Sequence, residues 1–155
     1  MELRSIELEL PDPAGAGRFL TEIWGLGAVD AGHDPDRVYL RGSGDQPYLV
    51  GLFRADHTLV RSVTFLADEG ELSAVAGRAA AQGICVAAVD SDDPGAGRGL
   101  LVTLPDGAVI RLLSDATRVV PAADMSDRAV RLTHVVLNAV DAEATARFAE
   151  DILGF

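Results

Sequence analysis

The 155-residue chain sets 24 acidic side chains against 13 basic ones, a formal charge of −11, and is 48% hydrophobic. That hydrophobic fraction fills a core of ordinary size and argues against disorder, while the charge, with no basic stripe to override it, opposes nucleic acid and anionic membrane as partners. No stretch has the apolar length of a signal-peptide core or a membrane span, and the single cysteine, Cys85, excludes an internal disulfide, so a cytoplasmic location is expected.

Three stretches pass from a strand pattern into a helix pattern. In Leu3 to Leu10, Ile6, Leu8 and Leu10 alternate with Glu7 and Glu9, as a half-buried strand requires. Asp12 then caps a helix with Pro13 at its first position. Phe19 and Ile23 stack one turn apart with Leu20 beside them, and Gly25 is the stop. A second strand, Leu59 to Leu66, leads into a helix from about Glu69 to Gln82 that buries Leu72, Val75, Ala76 and Ala79 before Gly83. The third runs Val130 to Val140, then Asp141 as cap, Phe148 and Ile152 as a buried pair, and Gly154 as stop.

Short strand-like runs separated by Gly- and Asp-rich turns follow each completed helix. They are Gly27 to Ala31, Arg37 to Arg41 and Tyr48 to Phe53 after the first, and Ile84 to Val89, Leu100 to Leu104 and Val109 to Leu113 after the second. The order strand, helix, strand, strand, strand therefore occurs twice before residue 116. The stretch from Thr117 carries no period and reads as a linker. Shifting the chain by 129 residues lays DPAGAGRFLTEIWGL, from Asp12, on DAEATARFAEDILGF, from Asp141, and superimposes Asp, Arg, Phe, Ile and Gly. The same unit begins again, and the expected organisation is one module over 1–116, a linker over 117–129 and the start of a second, truncated module over 130–155.

Three motifs carry a family resemblance: IELELPDPAGAGRFLTEIWGL, LPDGAVIRLL and LTHVVLNAVDAEATARFAEDILGF. With them the chain resembles the vicinal oxygen chelate superfamily of glyoxalase I, bleomycin-resistance proteins and extradiol ring-cleavage dioxygenases. The resemblance implies an α+β fold in which paired βαβββ units form a cupped mixed sheet. It also implies where metal ligands would stand: a His on the first strand, a His on the fifth and a Glu on the last, a facial set suited to non-haem Fe(II). Aligning the repeats sets Ser5 opposite His134 and puts Ser62 at the fifth-strand position, and Arg111 stands where the Glu would be. The first module is therefore expected to bind no metal.

A metal-free first module followed by His134 on the first strand of a second is the pattern of the two-module extradiol dioxygenases. The resemblance implies that His134 is the first ligand to Fe(II), or Mn(II), in the full-length parent, with the remaining His and Glu beyond Phe155. The parent would open the ring of a small aromatic diol with O2, the metal acting as Lewis acid and template. The 155 residues alone are expected to be inactive. Asn138 shares the strand face of His134 and either lines the pocket or merely tolerates the strand's end.

Other features have ordinary readings. His33 and His57 sit in Asp-rich turns and are expected to be solvated. The run DSDDPGAGRG from Asp90 begins like a calcium loop but has Leu101 at its twelfth position, which rejects calcium and leaves a flexible hairpin. Glu7 and Glu9 share the face of Ser5 and read as a solvated or cup-facing polar row rather than an acid–base pair. Cys85 reads as a small core residue, and Trp24 as packing at the module's rim.

Two functions from different classes fit. One is the scaffold part of an Fe(II)-dependent extradiol dioxygenase. The other is a complete, metal-free module that holds a small molecule in the cup of a dimer, as bleomycin-resistance proteins do. The ending discriminates: a third βα unit with Phe148, Ile152 and Phe155 has no sheet of its own to cover and needs either the remaining half or another subunit.

Overall fold

A computed structural model describes residues 1–30, 32, 34–122 and 128–155; the turn histidine His33 and part of the expected linker lie outside the described residues. The elements run β1 (Glu2–Leu10), α1 (Pro13–Glu22), β2 (Gly27–Val29), β3 (Arg37–Arg41), β4 (Val50–Arg54), β5 (Leu59–Leu66), α2 (Glu69–Ala81), β6 (Ala87–Asp90), β7 (Arg98–Thr103), β8 (Val109–Ser114) and α3 (Ala142–Phe148). The last helix continues as a π-helical turn over Ala149–Leu153. No helix among the described residues is long and apolar enough to cross a membrane.

The strands form one mixed sheet in the order β2-β3-β4-β1-β5-β8-β7-β6. β1 and β5 lie antiparallel at its centre, and each pairs in parallel with the last strand of its own unit, β4 or β8. One half therefore repeats the other about a local two-fold between β1 and β5, which is the α+β arrangement of paired βαβββ units that the sequence predicts.

Local chemistry sets each helix start. The Asp12 carboxylate accepts from the Gly15 amide at 2.8 Å, Asp141 accepts from the Ala144 amide at 2.9 Å, and Asp68 shares a reciprocal capping box with Glu71. Gly25, Gly83 and Gly154 end the helical stretches with φ of 68°, 69° and 81°, a region that only glycine enters without steric cost.

Both main helices cover the same face of the sheet. Ala16 and Leu20 pack with Leu8, Leu40 and Leu52, while Leu72, Val75 and Ala79 pack with Val63, Ile110 and Leu112. A bulge lets β1 serve this face from residues of opposite parity. Leu3 pairs with Phe65 and Ser5 with Thr64, so Arg4 is the extra residue; Leu3 and Ile6 then both reach the core, and Ser5 and Glu7 share the helix-free face.

Several expectations need correction. Of the apolar residues expected to pack on α1 from Phe19 onward, Leu20 reaches the core, while Phe19, Ile23 and Trp24 are exposed, because the sheet in contact with α1 is already covered by its opposite side. Residues 130–140 join no ladder. Their start is held by the Ser43 and Gly44 amides, which donate to the Ala129 and Val130 carbonyls, and Leu132, Val135 and Leu137 then lie across the apolar face of the sheet instead of extending its edge. The third unit's apolar face is not left uncovered either: Ile152 and Leu153 are buried against the core around α2, and Phe155 meets the Phe65 ring with centroids 5.0 Å apart. Cys85 is exposed rather than in the core, since it falls in the turn before β6.

Candidate functional site

The helix-free face of the sheet carries the positions where the family resemblance puts metal ligands. The structure brings Ser5, Ser62 and Arg111 together around one carboxylate, Glu7. Period-two alternation puts Ser5 and Glu7 on this face of β1, and Ser62 and Thr64 on the same face of the adjacent β5. The Ser5 hydroxyl donates to Glu7 Oε1 at 2.6 Å, Ser62 to Oε2 at 2.7 Å, and Thr64 to Oε2 at 2.8 Å. Arg111 on β8 places Nη2 3.0 Å from Glu7 Oε1, and its Nε donates to the Thr64 hydroxyl at 2.8 Å. Glu7 is therefore neither solvated nor half of a carboxylate pair. Glu9 stands apart near the surface, 3.4 Å from Arg61 and 4.0 Å from His57 Nε2.

The second carboxylate of the network is Asp93, from the turn between β6 and β7. Arg111 Nη1 donates to Asp93 Oδ2 at 2.5 Å, Tyr39 to Oδ1 at 2.5 Å, and Tyr48 to Oδ2 at 3.1 Å. Tyr48 also lies 3.0 Å from Glu7 Oε1, and the Arg4 guanidinium stands 4.9 Å over its ring while donating to the Pro94 and Ala96 carbonyls. The Gly-rich hairpin expected to be flexible is thus pinned across the sheet, from the second unit onto β3 of the first.

Burial and charge act in opposite senses here. Burial works to raise the Asp93 carboxyl, but hydrogen bonds from Tyr39 and the Arg111 charge outweigh it and hold the group below its ordinary value. Burial, joined by Asp93 for Tyr39 and by the Glu7 charge for Tyr48, pushes both phenols well above theirs. Arg111 is stabilised as a cation: desolvation opposes its charge, and Glu7 and Asp93 more than offset it. A second cation among these donors would lie beside a buried guanidinium, and both Glu7 oxygens already accept hydrogen bonds. The residues of this face do not fit a metal ion.

His134 is exposed and lies outside this network. Its Nδ1 lies 3.0 Å from the Thr133 hydroxyl. With Leu3, Phe65, Val135 and Ala146 it borders an apolar cavity of about 510 Å³ on the helix-covered side of the sheet. Asn138 is exposed. Among the described residues no group of three His, Cys, Asp or Glu side chains could hold a metal ion, and His134 is part of no such set there. The sequence singled out Ser5, Ser62 and Arg111 as non-ligands and Glu7 as part of a solvated or cup-facing polar row, of which the cup-facing alternative holds for Glu7, and it missed Asp93, Tyr39, Tyr48 and Arg4. The alternation Tyr39 against Val38 and Leu40 marked a residue on this face, whereas nothing local marked Asp93.

The paired βαβββ sheet is the fold of the vicinal oxygen chelate superfamily, and solved structures of a glyoxalase and of extradiol dioxygenases share it. A Mn(II)-bound glyoxalase from Novosphingobium aromaticivorans is 27% identical with a TM-score of 0.87, matching 99% of this chain and 52% of its own. A homoprotocatechuate 2,3-dioxygenase from Arthrobacter globiformis is 20% identical with a TM-score of 0.85, over 100% of this chain and 50% of its own. A 2,3-dioxygenase from Pseudomonas sp. KL28 is 16% identical with a TM-score of 0.83, over 99% and 58%. The chain spans about half the length of these solved structures. No protein-family model and no curated protein matches it.

Proposed function

We propose that this chain is the amino-terminal scaffold part of a two-module, metal-dependent ring-cleavage enzyme of the extradiol type, acting in the cytoplasm on a small aromatic diol with O2. The observation that carries the reading is the closed Glu7–Arg111–Asp93 network, which fills the metal-ligand positions of the first module with side chains that satisfy one another. Catalysis then falls to a second module, for which His134 supplies one ligand by its place in the repeat. The dioxygenases among the similar structures, about twice as long as this chain, support the same division. A metal bound there would supply Lewis acidity and a template for two reactants. The contribution of residues 1–116 is structural.

A metal-free binding module is the weaker reading, because Arg111 and Tyr48 fill the centre of the face where a small molecule would sit. A glyoxalase-type activity with Mn(II) is favoured by one observation, the 27% identity to the Mn(II)-bound glyoxalase.

The test uses the full-length protein that carries this chain, stripped of metal and reloaded with Fe(II) or Mn(II). Oxygen uptake and ring-cleavage absorbance are followed with a panel of catechols. Metal-dependent uptake matched to ring opening is the expected result. Absence of uptake with either metal across the panel would remove the dioxygenase reading.

A further inference from the structure

The 129-residue shift that relates α1 to α3 maps Ile23 onto Ile152 and Trp24 onto Leu153. The two pairs meet opposite environments. Ile152 and Leu153 are 0% and 1% exposed, whereas Ile23 and Trp24 are 68% and 64% exposed. What covers the first pair is α2 and the core beneath it: Ile152 and Leu153 pack with Leu72, Val75 and Ala79. Arg78 of α2 closes the contact, donating from Nε to the Ile152 carbonyl at 2.9 Å and from Nη2 to the Leu153 carbonyl at 3.1 Å. Carbonyls at a helix end have no partner within the helix, and here a guanidinium from the neighbour supplies one.

At the end of α1 the corresponding apolar side chains are exposed. Phe19, Ile23 and Trp24 form an exposed apolar face, and Gly25 ends it in the left-handed conformation that Gly154 also adopts. Among the described residues Arg128 reaches the Gly25 carbonyl at 3.3 Å, and no donor reaches those of Ile23 or Trp24. The face is not needed by its own sheet, which Ala16 and Leu20 already cover.

We infer that the Phe19–Ile23–Trp24 face of α1 docks on the α2-equivalent helix of a second βαβββ pair supplied by the same polypeptide. This rests on the two-module reading proposed above. In this chain the third unit leans on the second where the π-helical turn after α3 meets α2, so a two-module body built from the same repeat closes when the first unit leans on the fourth. A second copy of this chain does not offer the required surface, because its α2 is already covered by its own π-helical turn. The similar structures, about twice as long, leave length for a fourth unit. The docking helix would present branched and small apolar residues at three- to four-residue spacing and an arginine at the place of Arg78.

Hydroxyl-radical footprinting of the native full-length protein, read by mass spectrometry at single residues, tests this independently of ring cleavage. Ile23 and Trp24 should be oxidised several-fold less than the exposed Val120, and about as little as Ile152 and Leu153, in dilute monomeric protein. Heavy oxidation of Ile23 and Trp24 would overturn the inference, even if ring cleavage were found. Protection that vanishes on dilution would overturn it too, by assigning the face to a second copy. In an Ile23→Asp variant, Trp24 should become reactive while Ile152 stays protected; Trp24 remaining protected would also count against the docking.

Discussion

Arg111 Nη2 lies 3.0 Å from Glu7 Oε1, joining β8 to β1 across the intervening β5 with both groups almost wholly removed from water. Two charges in such a place stabilise the fold only as a set. Each removed from water alone costs several kcal/mol, and the attraction between them offsets that cost when the remaining lone pairs are filled, as Ser5, Ser62, Thr64 and Tyr48 fill those of Glu7.

The first prediction follows from that dependence. Arg111→Ala leaves Glu7 and Asp93 buried without their cation and should destabilise the protein by about 3–5 kcal/mol. The double variant Glu7→Leu/Arg111→Met should recover a large part of the loss, with a coupling measurable by a double-mutant cycle in urea unfolding. An Arg111→Ala stability within about 0.5 kcal/mol of the parent would mean that the network is solvated in solution.

Acid should loosen the same network. The Asp93 carboxyl is held below its ordinary value, so its contribution is present above the unfolded-state value, about 3.9, and is lost as pH falls through the lower folded-state one. Unfolding midpoints should therefore drop below about pH 4. Asp93→Asn, less stable at neutral pH, should show a shallower drop, and parallel pH curves for the two proteins would take Asp93 out of the account.

Gly42 tests the path of the segment that leads to His134. A Cβ there would stand 2.2 Å from the Ala129 carbonyl oxygen and 2.9 Å from Leu49 Cδ1. Gly42→Ala should displace residues 129–130 and speed hydrogen exchange at the Ser43 and Gly44 amides, which donate to them, while α2 keeps its protection. Unchanged exchange at both amides would show that the segment does not rest there.

His134 is exposed, and among the described residues its ring nitrogen meets the Thr133 hydroxyl. His134→Ala in the full-length protein should lose metal binding and ring opening, with thermal unfolding of the first module within about 0.5 kcal/mol of the parent. Retained activity would end its candidacy as a ligand.

Much of the architecture was legible because local chemistry and tertiary need agree. The Asp caps and Gly stops fall where the helices begin and end, and the repeat together with the family resemblance had already singled out Ser5, Ser62 and Arg111. What was not legible depends on which of two surfaces a side chain meets. Ile23 and Ile152 occupy the same register with the same residue type, yet one is bare and the other buried, because only the second has a helix beside it. The inward run from Val130 looked like a strand since alternation records a buried side and an exposed side, and lying across a sheet produces that pattern as well as pairing within it. Asp93 was hidden for a different reason. A turn residue carries no period, so only the fold reveals that it reaches Tyr39, fifty-four residues away in sequence.

The central place of β1 bears on how this chain is made. Of the strands in this sheet β1 is made before the others, and it is the one that must be flanked by β4 and by β5. Ile6 waits for Val50 to emerge before its parallel neighbour exists, and Glu2 waits for Leu66. Until then two open strand edges are offered to any other nascent chain nearby, and closing them requires long loops to be brought together first. Slow translation between β1 and β5 should thus favour aggregation of the nascent protein, and an early-binding chaperone should have its greatest effect before Leu66 is exposed.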